Sequence, residues 1–241
     1  MKDYLARSRA ARYSILFALP LLLLYEAASF ALNGSPTAGV RNGADVMLKA
    51  PFVGLGGRNG LLVFDFLLLG TGAVLVWRDL RRSGKGLEGR TFAWMSLESA
   101  VYAALFGLVV GSLTALVLGA PRLLDIAAPA LDLPTRLVTS LGAGIYEELL
   151  FRVILTGGLL VLLRAVLKTR AGGAAAMSVV VSALVFSAFH YVGALGDRFT
   201  VQSFTFRAIA GLAFSGLYVS RGLGITAWTH ALYDIGITLL Q

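Results

Sequence analysis

Seven long apolar segments run through this chain of 241 residues, and they constrain its fold more than any other feature. A helix needs about 20 mainly apolar residues to cross a bilayer, so each segment is a candidate membrane span. We therefore expect an all-α, multi-span transmembrane bundle with about seven spans, within a range of six to eight. The predicted spans lie at 13–32, 60–77, 92–119, 137–163, 174–195, 204–220 and 223–240.

The charge content supports a membrane protein and excludes several other classes. Only 14% of the residues are charged, against about 25% in an ordinary soluble domain, which needs charges to cover its surface. The chain contains no cysteine, so thiol catalysis, disulfide scaffolds and thiolate metal sites are excluded. The net charge of +8 comes without any nucleic-acid-binding motif. We expect these charges to face the head groups of the bilayer, and we expect no nucleic-acid partner.

Basic residues between the spans predict the orientation, because cytoplasmic loops carry an excess of Lys and Arg. The excess favours a cytoplasmic N-terminus in an integral protein of the bacterial inner membrane. The predicted inside segments hold Lys2, Arg7, Arg9, Arg12, Arg78, Arg81, Arg82, Lys85, Arg90, Arg164, Lys168, Arg170 and Arg221. The predicted outside loops hold Arg41, Lys49, Arg58, Arg122, Arg136 and Arg198. Only Arg221 and Gly222 separate the last two spans, which predicts a tight helical hairpin.

Six carboxylates lie within or at the edges of the spans, where a charge costs a few kcal/mol and requires a reason. For Glu26, Asp65 and Glu98, which are isolated in the sequence, we expect polar contacts between helices or with head groups. Of the others, Glu148 and Asp234 lie four residues from a basic side chain, and Glu147 adjoins Glu148. These three are therefore the candidates for a functional site.

The first candidate motif is Glu-Glu-x-x-x-Arg at 147–152. Glu148 and Arg152 are four residues apart, so they lie on one helix face and are able to form an ion pair. Glu147 points in another direction and remains without that partner. An unpaired carboxylate in a water-poor site binds protons readily, which suits a general base or a metal ligand. A structural ion pair with a protonated spare glutamate is the equally weighted alternative.

Both histidines of the chain lie in two further motifs with i, i+4 spacing. Phe186 and His190 place an aromatic ring beside an imidazole, and His230 and Asp234 place an imidazole beside a carboxylate. Taken singly, each motif also fits a packed histidine or a local His–Asp hydrogen bond. Together they form a hard nitrogen and oxygen set, which suits either zinc or a metal-free acid–base pair that activates water. The HExxH signature of zinc proteases is absent.

The three motifs, in this order and on separate spans, resemble the CPBP intramembrane protease family. This family, also called Abi, includes the type II CAAX prenyl endopeptidases. The resemblance covers roughly 137–240 and predicts a catalytic core at 137–241, preceded by transmembrane helices and loops at 1–136. It implies an α-helical membrane endopeptidase that cleaves a membrane-associated protein or peptide, with a prenylated CAAX-type substrate as one candidate.

The resemblance also implies roles for individual residues. Glu147 would activate water with His190, while His230 and Asp234 would bind the oxyanion or complete a metal site. Glu148, Arg152 and Phe186 would support them, and a zinc ion would be held by His190, His230 and Asp234. The prenyl endopeptidases carry Asn where this chain has Asp234. An ionised carboxylate cannot donate to an oxyanion, so Asp234 would be protonated, orient His230 or ligate a metal.

Two non-proteolytic functions compete with this interpretation. One is a family member with a decayed site that acts as a membrane scaffold or as a bacteriocin-immunity-type binding protein. The other is a proton- or ion-coupled transporter, although the sequence has no inverted repeat. The complete Glu147, His190 and His230 set favours the protease.

Overall fold

The computed structural model describes residues 2–34, 39–119, 131–166, 168, 170–193 and 196–240. Within these ranges the chain is helical and contains no strand, which confirms the all-α multi-span bundle. The helices are α1 (Lys2–Arg9), α2 (Ala11–Asn33), α3 (Gly43–Ser83), α4 (Gly89–Leu118), α5 (Leu133–Gly142), α6 (Gly157–Ala165), α7 (Ala171–Phe189), α8 (Val201–Arg221) and α9 (Leu223–Leu240). A π-helical segment, Ala143–Thr156, joins α5 to α6 without a break. Arg122 lies outside the described residues.

Every predicted span corresponds to a helix, with 137–163 formed by the run from α5 through α6. Among the described residues, α2, α3, α4 and α7 are long and apolar enough to cross a membrane. The other three predicted spans, at 137–163, 204–220 and 223–240, are not among these four helices. The count of seven spans therefore stays a prediction. The span predicted to reach residue 195 is too long, because α7 ends at Phe189. The predicted hairpin is confirmed, with Gly222 at φ 82° between α8 and α9.

Helix α3 begins earlier than the sequence predicts. The side chain of Asn42 caps its first turn by accepting a hydrogen bond of 2.9 Å from the backbone N–H of Ala44, and Gly57 bends it at φ 54°. Arg41 and Lys49, predicted to lie in an outside loop, are instead buried. Both basic side chains form ion pairs with acids, so their position reflects charge neutralisation and does not report on the orientation.

Two of the isolated acids form the contacts between helices that the sequence predicts. Glu26 on α2 accepts hydrogen bonds from Lys49 Nζ at 2.6 Å and from Arg41 Nη2 at 2.7 Å. Glu98 on α4 accepts one of 2.6 Å from Nε of Arg221, which was predicted to be an inside loop residue. Arg221 is buried. Its position therefore also reflects neutralisation of an acid and does not indicate the orientation of the protein in the membrane.

The long helices alternate in direction through the bundle. The N-terminal part of α2 meets the start of α9, where Ser14 Oγ accepts from the backbone N–H of Gly224 at 2.9 Å. The end of α3 meets the start of α2 through Asp79 and Arg12. We call this the first end of the bundle, and it holds 84–88, Val166, Lys168, Arg170 and Gly222. The described residues at the second end are Gly34, 39–42, Gly119, 131–132, 190–193 and 196–200.

Helix α9 is the centre of the bundle and packs against α2, α4, α5, α8 and the π-helical segment. Small residues allow these close approaches. A Cβ atom added at Gly144 would lie 2.5 Å from Cβ of Ala231 and 2.6 Å from the carbonyl oxygen of Ala227. Gly107 on α4 similarly faces the ring of Tyr233, because a Cβ atom added there would lie 2.9 Å from Cε2 of that ring. The predicted division of the chain at residue 136 stays a prediction.

We expect Gly144→Ala to destabilise the bundle, because its new methyl group would collide with the backbone of α9. Overpacking of this kind costs about 1–3 kcal/mol. The measurement is the melting temperature in detergent, with Gly158→Ala as the control because a Cβ atom there has open space. Equal melting temperatures for both variants would contradict the predicted close contact.

Candidate active site

Glu148 is fully buried between two basic side chains. Its Oε2 lies 3.2 Å from Nε of Arg152, so the ion pair expected from the spacing is present. Its Oε1 lies 2.8 Å from Nδ1 of His230 on α9. One carboxylate thus joins the first and third sequence motifs, although 82 residues separate them in the chain.

The π-helical segment determines how these residues are directed. Its wider turns are rare in proteins and occur frequently at functional sites. Side chains reinforce it, because Thr156 Oγ1 and Ser182 Oγ each donate a hydrogen bond of 2.7 Å to the carbonyl oxygen of Phe151. Ser182 belongs to α7, so the segment that carries the acids is attached to the helix that ends just before His190.

Aromatic rings surround the buried charges. The guanidinium carbon of Arg152, a fully buried side chain, lies 4.5 Å from the ring centroid of Phe186 and 5.4 Å from that of Phe214. Ring faces attract cations, so they partly replace the lost hydration of this arginine. The ring of His230 stacks on Phe214 with centroids 4.2 Å apart. Sequence analysis did not identify Phe214, because an aromatic residue on an apolar helix carries no distinguishing signal.

Glu147 lies on a different side of the segment from Glu148. It is 6% exposed, and its Oε1 accepts a hydrogen bond of 2.9 Å from Nδ2 of Asn42. Its Oε2 is buried and has no hydrogen-bond partner among the described residues. Asn42 was not predicted as a site residue, although its position before Gly43 and Asp45 is typical of a helix cap.

His190 lies just after α7 and is only half-buried. Its Nδ1 is 2.8 Å from the carbonyl oxygen of Phe186, and this oxygen can only accept, so Nδ1 carries the proton. Phe186 contacts both histidine rings, with centroid distances of 4.8 Å to His190 and 6.2 Å to His230. Phe186 also contacts Phe151 of the π-helical segment, with ring centroids 5.2 Å apart. Both histidines therefore lie beside the segment that carries the acids.

A cavity of about 300 Å³ opens beside this region at the second end. Its wall includes Asp234, whose Oδ2 lies 3.5 Å from Nε2 of His230. The wall also includes Asn42, so Glu147 lies one hydrogen bond behind the surface of the cavity. The other lining residues are Leu131, Arg136, Thr139, Ser140, Ala143, Phe206, Tyr233, Ile237 and Thr238.

The described residues do not fit a zinc site in this arrangement. No three histidine or carboxylate side chains in the described parts of the chain are placed to share a metal ion. Both ring nitrogens of His230 already face carboxylates, and Nδ1 of His190 faces a carbonyl oxygen. The predicted set of His190, His230 and Asp234 is thus not assembled around one point, and no chemical step below uses a metal.

We expect Arg152→Met to be strongly destabilising, because it leaves Glu148 buried without its main cation. Removing one partner of a buried ion pair costs about 3–5 kcal/mol. Unfolding in mixed micelles measures the loss, and the double variant Glu148→Gln with Arg152→Met should recover part of it. The exposed Arg164 supplies the control substitution, Arg164→Met. A loss no larger than that of the control would refute the expected role of the ion pair.

Comparison with known proteins gives a family match over the residues that form this site. Residues 129–236 match the family described as "Type II CAAX prenyl endopeptidase Rce1-like". No curated protein and no solved structure matches the chain. The matched residues contain all three motifs and the helices that bring them together. The resemblance predicted from the motifs is thus supported, because residues 129–236 are similar to this family of type II CAAX prenyl endopeptidases.

Proposed function

We propose that this protein is an intramembrane endopeptidase that hydrolyses a peptide bond of a membrane-associated protein. The observation that carries the proposal is the environment of Glu147, a buried carboxylate with one oxygen held by Asn42 and the other without a partner among the described residues. Such a carboxylate is available to take a proton from water. The family match supports a CAAX-type protease in general, and a prenylated CAAX protein is one candidate substrate class.

His190 is the second group that we propose to act on the attacking water. Because Nδ1 donates to the carbonyl oxygen of Phe186, the lone pair of the neutral ring is on Nε2. That nitrogen is able to accept a hydrogen bond from water and to orient it. Water activation would then be shared between the carboxylate of Glu147 and the imidazole of His190.

In the proposed reaction, the water oxygen bonds to the carbonyl carbon of the scissile bond while one water proton passes to Oε2 of Glu147. The carbonyl π electrons move onto the carbonyl oxygen, which becomes an oxyanion. The carbonyl bond then re-forms, the C–N bond breaks, and the proton on Glu147 moves to the leaving nitrogen. This sequence needs one base and one oxyanion donor.

His230 is the oxyanion donor that we propose. Its ring nitrogens face Glu148 and Asp234, and an imidazole between two carboxylates donates from both nitrogens when protonated. The Nε2 to Asp234 distance of 3.5 Å exceeds a normal hydrogen bond, so this N–H is able to turn to a substrate oxygen. The carboxylate of Asp234 would orient the imidazole of His230 and favour its protonated form. In this role Asp234 does not have to donate a hydrogen bond.

We also propose that the cavity opens on the extracytoplasmic side. Without the buried Arg41, Lys49 and Arg221, basic residues remain more frequent at the first end of the bundle. The excess of Lys and Arg in cytoplasmic loops favours a cytoplasmic first end. The cavity residues Ser140 and Thr238 lie at the opposite, second end. The scissile bond would then lie in the extracytoplasmic half of the membrane, and a cytoplasmic CAAX substrate would require the reverse orientation.

We expect Glu147→Ala and His190→Ala to lose cleavage in proteoliposomes by at least about 100-fold, the usual contribution of a general base. The assay follows a quenched-fluorescent farnesylated peptide that ends in a CAAX motif. Asp65→Asn is the control, because Asp65 is an intramembrane acid on the exposed surface of α3. Equal cleavage by all variants would refute the mechanism. No cleavage by the wild type would favour the alternative of a scaffold or immunity-type binding protein.

Orientation is testable by single-cysteine labelling, because the chain contains no cysteine. Phe199→Cys marks the second end and Gly86→Cys the first end, and both positions are exposed. In sealed right-side-out vesicles, we expect a membrane-impermeant maleimide to label Phe199→Cys directly. Gly86→Cys should react only after permeabilisation. The opposite pattern would place the cavity on the cytoplasmic side.

A further inference from the structure

We propose that Asn42 is the positioning residue of the catalytic carboxylate: its amide holds Oε1 of Glu147 so that Oε2 is left for the attacking water. This inference rests on the function proposed above for Glu147. Asn42 lies 105 residues before Glu147, outside all three motifs and on another helix. The 2.9 Å hydrogen bond between them is the contact on which the inference depends.

The orientation of the Asn42 amide follows from its other contacts. Oδ1 accepts a hydrogen bond of 2.9 Å from the backbone N–H of Ala44, and within the side-chain amide the oxygen accepts while the NH2 group only donates. The amide nitrogen Nδ2 must therefore be the atom that faces Glu147. The backbone N–H of Asn42 donates to the hydroxyl of Tyr25 at 3.1 Å, which fixes the main chain as well.

A buried cluster holds Asn42 in place. The hydroxyl of Tyr25 donates a hydrogen bond of 2.7 Å to Oδ2 of Asp45. Asp45 is fully buried and paired with Arg41 and Lys49. Close packing restricts the same region, because a Cβ atom at Gly142 would lie 2.6 Å from Cβ of Asn42 and 2.5 Å from the Tyr25 ring. Movement of Asn42 would break several of these contacts.

This rigidity has a chemical use. A carboxylate free at both oxygens rotates and offers each of them to solvent, whereas one held at Oε1 keeps Oε2 in a fixed direction. A displacement of about 1 Å in a reacting group costs roughly 100-fold in rate. Asn42 also lines the cavity, so the fixed carboxylate lies directly behind the space that a substrate would enter.

The test exchanges the two partners of the hydrogen bond. Asn42→Asp keeps the capping oxygen, since Asp caps helices as well as Asn does, but it replaces the N–H donor by a second carboxylate. Glu147→Gln supplies a donor from the other side, so the double variant regenerates the bond in reverse. Asn33→Asp is the matched control, because the amide of Asn33 donates, among the described residues, to the backbone carbonyl oxygens of Ser29 and Val40.

We expect Asn42→Asp to lower kcat roughly 100-fold in proteoliposomes with the farnesylated CAAX peptide, and to change KM little, because positioning affects the transition state. Its melting temperature should fall by about 2–4 °C or more, and the double variant should recover it while remaining inactive. Asn33→Asp should match the wild type in kcat.

Several results would overturn the inference. A wild-type kcat for Asn42→Asp with an inactive Glu147→Gln rejects the role of Asn42 and leaves the proposed function standing. A double variant no more stable than Asn42→Asp rejects the hydrogen bond itself. An active Glu147→Gln, or a wild type without cleavage, rejects the proposed function and the positioning role together.

Discussion

The carboxylate of Glu148 is the group on which the rest of the site depends. It is fully buried in the middle of a bundle that faces lipid, and a charge in that position is stable only when neutralised. Arg152 and His230 each contact one of its oxygens. Through them it connects the π-helical segment to α9, and the rings of Phe186 and Phe214 extend the contact to α7 and α8. Four separate parts of the chain are therefore arranged around one negative charge.

A second buried group of charges lies between α2 and α3, where Glu26 and Asp45 face Arg41 and Lys49. The two groups meet at three consecutive residues of the π-helical segment. Tyr146 donates to Glu26 on α2, Glu147 accepts from Asn42 before α3, and Glu148 contacts His230 on α9. Within one turn, the segment thus contacts three other parts of the bundle. Glu147, the candidate base, lies between the charges around Glu148 and those around Glu26.

Local spacing explains what the sequence could predict. Residues four apart on a helix share a face, so the pairs Glu148 with Arg152 and His230 with Asp234 were accessible from the sequence alone. The apolar segments likewise predicted the helices and the tight turn at Gly222. The contact between Glu148 and His230 depends on how distant helices pack, which spacing does not encode. The family resemblance predicted only that the two motifs share a site.

The part of the site that the sequence did not predict lies at 41–49. This stretch mixes charged, small and apolar residues without a helical period, so Arg41 and Lys49 were assigned to a loop. Their partners are on another helix, and an ion pair between distant residues leaves no local pattern. The role of Asn42 was not predicted for the same reason, since 105 residues separate it from Glu147.

The π-helical geometry of Ala143–Thr156 makes the length of this segment part of the site. Each added residue turns the chain by a fixed angle, about 100° in an α-helix, so inserting one residue before Tyr146 would move every following side chain to the place of its C-terminal neighbour. Glu147 would then take the direction of Glu148, and the carboxylate facing Asn42 would disappear. The segment is thus expected to tolerate many substitutions on its outer face. It should tolerate no insertion or deletion, because either would change the direction of every side chain that follows.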